Sequence, residues 1–120
     1  MTRQRPSGPK SAGGLKSRLY YVMLAMADEA RHGLAVARDV QRLSDGTVRL
    51  WPATLYGTLD ELLDRGWIKE LDDHPADESE KKRFYLLTPT GRQTLAEETE
   101  RLAAVVRVAR TRLRRTGAVS

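Results

Sequence analysis

VRLWPATLYGTLDELLDRGWI, running from Val48 to Ile68, holds one helix with both of its ends written in the sequence. Pro52 fits the first turn of a helix, where a missing N–H costs nothing. Leu55, Leu59, Leu62 and Leu63 recur at i, i+4, i+7 and i+8 and make one apolar face. That spacing leaves Thr54, Gly57, Thr58, Glu61, Asp64 and Arg65 toward solvent, and Gly66 closes the helix after Arg65. Thr47 to Leu50, just upstream, is short and partly β-branched, which predicts a brief strand before the helix.

Working outward, LKSRLYYVMLAMADE places Leu15, Leu19, Val22, Met23 and Met26 at helical spacing and predicts a first helix ending near Asp28. A second run sets Leu34, Ala37 and Val40, with Val36 and Leu43, on one side until Ser44-Asp45-Gly46 stops it. Past the central helix, Trp67 to Leu71 and Arg83 to Leu87 have strand character and flank the polar segment DDHPADESEKK, which makes them a hairpin with a long tip. Thr88-Pro89 then supplies an N-cap and a first-turn proline for a long fourth helix. Its stripe of Leu95, Leu102, Val106, Ala109 and Leu113 is near-heptad and longer than so small a core can cover, so it predicts a dimer. Leu15, Leu19 and Val22 are the expected contacts from the partner.

Three helices, a strand and a hairpin in this order form a winged helix-turn-helix: a mainly α fold with a small β-hairpin wing, followed by a long C-terminal helix. The expected division is a disordered basic arm over 1–14, the winged domain over 15–88, a dimerisation helix over 89–115 and a disordered tail over 116–120. In this fold the third helix enters the major groove of double-stranded DNA. Ala53, Thr54, Tyr56 and Gly57 at its start are the candidate contacts, hydroxyls for phosphate and small side chains for base edges. Lys81, Lys82 and Arg83 at the wing, and Arg49 before the helix, are candidate phosphate contacts. The same lysines also read as a solvated charge run beside Asp77, Glu78 and Glu80.

The net charge of +5 is unevenly spread. Five basic residues and no acid precede Leu19, and six arginines and no acid follow Glu100. All sixteen acids lie between Asp28 and Glu100, against ten basic residues there. An acidic body with basic ends confines any contact with a polyanion to local spots. It also keeps open a second reading, a winged-helix module that binds protein without specific DNA binding. The arginines of the last helix read either as a second nucleic-acid patch or, the favoured account, as charges that suit the negative C-terminal end of the helix dipole and a partner's acidic body. There is no cysteine, and the two histidines, His32 and His74, are far apart, so neither a catalytic set nor a metal site nor a cofactor is expected. No apolar run nears the roughly 20 residues a membrane span needs, and a soluble, cytoplasmic protein is expected.

HGLAVARDV (His32 to Val40), VRLWPATLYGTLDELLDRGWI and RFYLLTPTGR (Arg83 to Arg92) together resemble the PadR family. The resemblance runs from about Leu19 to Leu113, and the single last helix is similar to the shorter subgroup. It implies a dimeric repressor on a palindromic operator, with the last helix beside the partner's first, and in some members release of DNA by a small aromatic molecule. The sequence departs from the pattern in three places. Leu34 stands where a tyrosine often follows His-Gly, Trp51 stands where relatives usually have a small or polar capping residue, and the fourth helix has no aromatic residue. If there is an effector, an apolar or aromatic one is therefore expected between the subunits, near Trp51 or Trp67.

Overall fold

The computed structural model describes residues 15–71 and 83–116. The expected basic arm, the wing tip with Lys81 and Lys82, and residues 117–120 lie outside the described residues. The order is α1 (Ser17–Ala25), β1 (Arg31–His32), α2 (Gly33–Leu43), α3 (Pro52–Asp64), β2 (Ile68–Leu71), β3 (Phe84–Leu87) and α4 (Pro89–Thr116). Among the described residues, no helix is long and apolar enough to cross a membrane.

One core collects the apolar faces of all these elements. Val22, Met23 and Met26 from α1 and its end, Val36 and Val40 from α2, and Leu55, Leu59 and Leu62 from α3 are almost wholly buried. The sheet closes one side with Ile68, Tyr85 and Leu87, and α4 adds Leu95. The sheet is antiparallel with β3 in the middle, in the order β1-β3-β2. Ile68 pairs with Leu87 and Leu71 with Phe84 on one side, and Arg31 with Tyr85 on the other. Along β3 the pleat sends Tyr85 and Leu87 into the core and leaves Phe84 and Leu86 half-buried.

The third strand is not where the sequence pointed. Thr47–Leu50 is irregular, because Ser44 takes its hydrogen bonds: Val48 N–H donates to Ser44 Oγ at 2.9 Å and the Thr47 hydroxyl to Ser44 O at 2.8 Å. The open edge of β3 is filled by Arg31–His32, a two-residue strand too short for any periodicity to reveal. His32 then caps α2, its Nδ1 accepting from Ala35 N–H at 3.3 Å, and its ring meets Phe84 edge to face. Three further expectations change. α1 stops at Ala25, and Leu34 and Leu43 of α2 are exposed rather than inward. Thr58 is buried rather than solvent-facing.

α4 begins on a lock. Thr88 Oγ1 accepts from Gly91 N–H at 3.0 Å and donates to Gly66 O at 2.7 Å, while Thr88 N–H donates to Trp67 O at 3.0 Å. A Cβ on Gly91 would fall 1.9 Å from that Trp67 oxygen, so only glycine lets α4 start so close to the wing. Farther on, Arg92 donates to Ala27 O at 2.6 Å and the hydroxyls of Tyr20 and Thr99 meet at 2.7 Å. Glu98, itself buried, holds Arg101 through two bonds of 2.9 and 2.6 Å. Those bonds, with the Leu15 backbone and against the cost of burial, hold its carboxyl below the usual carboxylate range. From Ala103 to Arg115 every residue of α4 is exposed.

Candidate nucleic-acid interface

α3 starts at Pro52 with Trp51 as its N-cap, and Trp51 offers no side-chain hydrogen bond to the open amides. The first turn of a helix carries unsatisfied N–H groups and a partial positive charge. Here that turn contains no acid, and residues 51–54 are all exposed. Trp51 is 65% exposed and Tyr56 45%.

Ala53, Gly57, Asp60 and Asp64 follow one another at i, i+4, i+7 and i+11, and all four are exposed, so they form the outward stripe of α3. Its first half is small and neutral and its second half is acidic. Nothing among the described residues pairs with Asp60 or Asp64 in a salt bridge. Glu61 differs, because it lies one flank over and is held by two arginines. Arg18 of α1 reaches one carboxylate oxygen at 3.5 Å and Arg65 the other at 3.2 Å. Arg18 Nε also donates to Thr58 Oγ1 at 2.8 Å, and that hydroxyl donates to Thr54 O at 2.8 Å. This cover is why Thr58 is buried, and it braces α3 against α1 in mid-helix.

The opposite flank turns toward α2 and the sheet. A Cβ at Gly33 would sit 3.1 Å from the Tyr56 hydroxyl oxygen, so the bare start of α2 leaves room for Tyr56. Beneath, burial above all raises the pKa of the Tyr85 phenol, with Glu70, Tyr56 and Asp60 adding to the rise and Arg83 opposing it.

The remaining predicted residues fall as follows. Arg49 is exposed, with no salt bridge among the described residues. Arg83 is exposed but pairs across the hairpin with Glu70 at 3.1 Å, so its charge is partly engaged. Trp51 and Trp67 stand beyond opposite ends of α3, a helix about 20 Å long at 1.5 Å per residue. Trp67 is half-buried beneath the Arg65 guanidinium, 5.1 Å from its ring.

Leu19, Val22 and Leu95, expected at a subunit interface, are instead covered by the chain's own core. Leu15 and Leu102 are half-buried, and Val106, Ala109 and Leu113 are exposed together with Val105 and Val108. Sequence reasoning missed Arg18 and Leu34 at this site. Nothing in an isolated arginine of α1 marks it as the clamp of α3, whereas the exposure of Leu34 had a signal in its departure from the PadR-like pattern.

The chain matches the family model of the transcriptional regulator PadR-like family over residues 22–97. An uncharacterised 37.1 kDa protein of a Streptomyces fradiae transposon is 33% identical over 82 residues, which is 68% of this chain but 22% of that protein, so the chain spans about a fifth of that relative. Among solved structures, a PadR family regulator from Clostridium difficile superposes with a TM-score of 0.64 at 18% identity, over 79% of this chain and 96% of that one. Bacillus subtilis PadR in complex with operator DNA gives 0.59 at 20% identity, over 68% and 46%. At such identities the two structures establish a common fold. The family match spans more than half of the sequence, and the chain belongs to the PadR-like family of transcriptional regulators.

Proposed function

We propose that this protein binds double-stranded DNA as a dimer and represses transcription from a two-fold symmetric operator, α3 entering the major groove by its N-terminus. The observation that carries this reading is the order of residues on the outward stripe of α3, neutral and small at Ala53 and Gly57, acidic at Asp60 and Asp64. Laid flat in the groove, the helix would press two carboxylates with no salt bridge among the described residues toward phosphates at a cost of order 1 kcal/mol each. Entering end-on, it brings open amides first. Thr54 and Tyr56 then anchor phosphates, Ala53 and Gly57 come nearest the bases, and Arg49 and the wing residues Lys81, Lys82 and Arg83 lie along the backbone.

The solved operator complex of Bacillus subtilis PadR supports duplex DNA as the partner. The exposed Val105, Val106, Val108 and Leu113 in the second half of α4 support the dimer, since the described residues of one chain leave them uncovered. A small apolar or aromatic effector that releases DNA belongs to the same reading, with the indoles of Trp51 and Trp67 as its candidate contacts. Because the two are far apart, tryptophan fluorescence with each replaced in turn by Phe locates it.

The testing experiment is a salt titration with random duplex DNA. A DNA-binding dimer shows weak affinity that falls steeply with salt, by a slope of about 0.9 per phosphate neutralised. The protein-binding reading, which the acidic body favours, gives essentially no binding at any salt.

A further inference from the structure

The described residues of the winged domain leave few large apolar side chains in water. Apart from Leu43 they are Leu34 at 56%, Trp51 at 65% and Tyr56 at 45% exposure, all at the N-terminal ends of α2 and α3. Tyr56 lies over Gly33, the neighbour of Leu34, so those two share one edge. Trp51 is the largest of the three, and its place is the least explained by folding. An N-cap is best filled by Ser, Thr, Asp or Asn, which bond the free amides. The indole makes no such bond and, being mostly exposed, adds little to the core. The charge around it does not suit a purely apolar partner. Arg49 lies two residues before, no acid occupies the first turn, and the open amides of α3 begin at Ala53, since Pro52 has no N–H.

We infer, on the reading that α3 enters the major groove by its N-terminus, that Trp51 is a specificity-determining residue that packs its indole against the 5-methyl group of a thymine. The major-groove edges of the bases are hydrogen-bond donors and acceptors with one apolar feature, the thymine methyl. An end-on helix carries its N-cap as deep as its first turn. An indole there has nothing to donate except through one N–H, and it gains most by covering that methyl. The operator then carries, in each half-site, a thymine that no hydrogen bond specifies.

The test uses the full-length dimer and duplexes it selects from a randomised pool. Each recurring dT is replaced singly by dU, which removes the methyl and keeps the pairing. Unaltered protein is expected to lose about three- to fivefold in affinity at one thymine per half-site, the worth of one buried methyl. Trp51→Ala is expected to bind more weakly and to be indifferent to dU at that position, while Trp51→Phe keeps part of the discrimination. Trp51→Ala binding as tightly as the unaltered protein, or losing the same factor on dT and dU at every position, overturns the inference and leaves DNA binding intact. If Trp51→Ala does not fold, the dU scan of the unaltered protein decides alone, and a scan with no sensitive thymine overturns the inference. A protein that selects no sequence and shows no salt-dependent binding overturns the DNA-binding reading itself.

Discussion

Two helices of this chain start the same way in sequence and differently in space. Both α3 and α4 place a proline at their first position. At α4 the preceding residue is Thr88, whose hydroxyl caps Gly91 N–H and ties back to Gly66, and the first turn is pressed against Trp67. At α3 the preceding residue is Trp51, which caps nothing, and the first turn faces water. The difference teaches where the polar groups of a helix start are spent. Those of α4 are used by the fold, and those of α3 are left open to water. The two halves of α4 repeat the contrast, the first tied to α1 by the Tyr20–Thr99 hydroxyl pair and the second, from Ala103 on, open.

Gly91→Ala breaks the closed side of this comparison and is the largest effect expected. Alanine normally stabilises a helix relative to glycine, by roughly 0.5–1 kcal/mol. Here the added methyl meets the Trp67 carbonyl at 1.9 Å, and overpacking of a side chain against rigid backbone costs about 3 kcal/mol, the upper end of the usual range. Thermal denaturation checks the sign, and a neutral or raised melting temperature contradicts the lock. Leu102→Asp probes the open half of α4. A charge in the seam is expected to give monomer or unfolded chain in sedimentation, and an unchanged dimer removes α4 from the interface.

How much of this is legible in the sequence follows from the same contrast. The starts of α3 and α4 and the glycine stop of α3 are readable because proline and glycine act through the local backbone, independent of what packs there. The stripe of α4 is readable as apolar, but periodicity cannot say what covers it, so it points Leu95 to a partner when the chain's own core takes it. Thr58 fails for the converse reason. A helical wheel puts it outward, and only the fold brings Arg18 across it. Strand β1 is hidden because two residues pair there for want of another edge, against the better β propensity of Thr47–Leu50.

A matched pair of cap exchanges sharpens the comparison at intermediate cost. Thr88→Ala removes a working cap and is expected to lower stability by about 1 kcal/mol. Trp51→Ser supplies a missing one and is expected to raise stability by a few tenths to about 1 kcal/mol while weakening DNA binding. Denaturant titration of both reads the signs, and a loss of stability at both positions means that folding uses the start of α3 as fully as that of α4.

The smallest effect expected depends on pH. The Arg101 hydrogen bonds hold the folded pKa of Glu98 below its unfolded value. The contribution is therefore present above the unfolded pKa, about 4.3, and is lost as pH falls through the lower folded value. The melting temperature of the unaltered protein is expected to fall more steeply with acid below about pH 4 than that of Glu98→Gln. Parallel curves mean that the Glu98–Arg101 pair does not stabilise the folded state.

The central claim, that the open first turn of α3 is kept for DNA, is tested most directly by Thr54→Ala, measured twice on one preparation. Thr54 is exposed, so its loss is expected to leave the melting curve nearly unchanged. Affinity for a duplex selected by the unaltered protein is expected to fall by about 1 kcal/mol or more, fivefold upward, through a lost phosphate hydrogen bond. An unchanged affinity with the circular dichroism of the fold intact would contradict the account, because this turn would then not be the one that reads DNA.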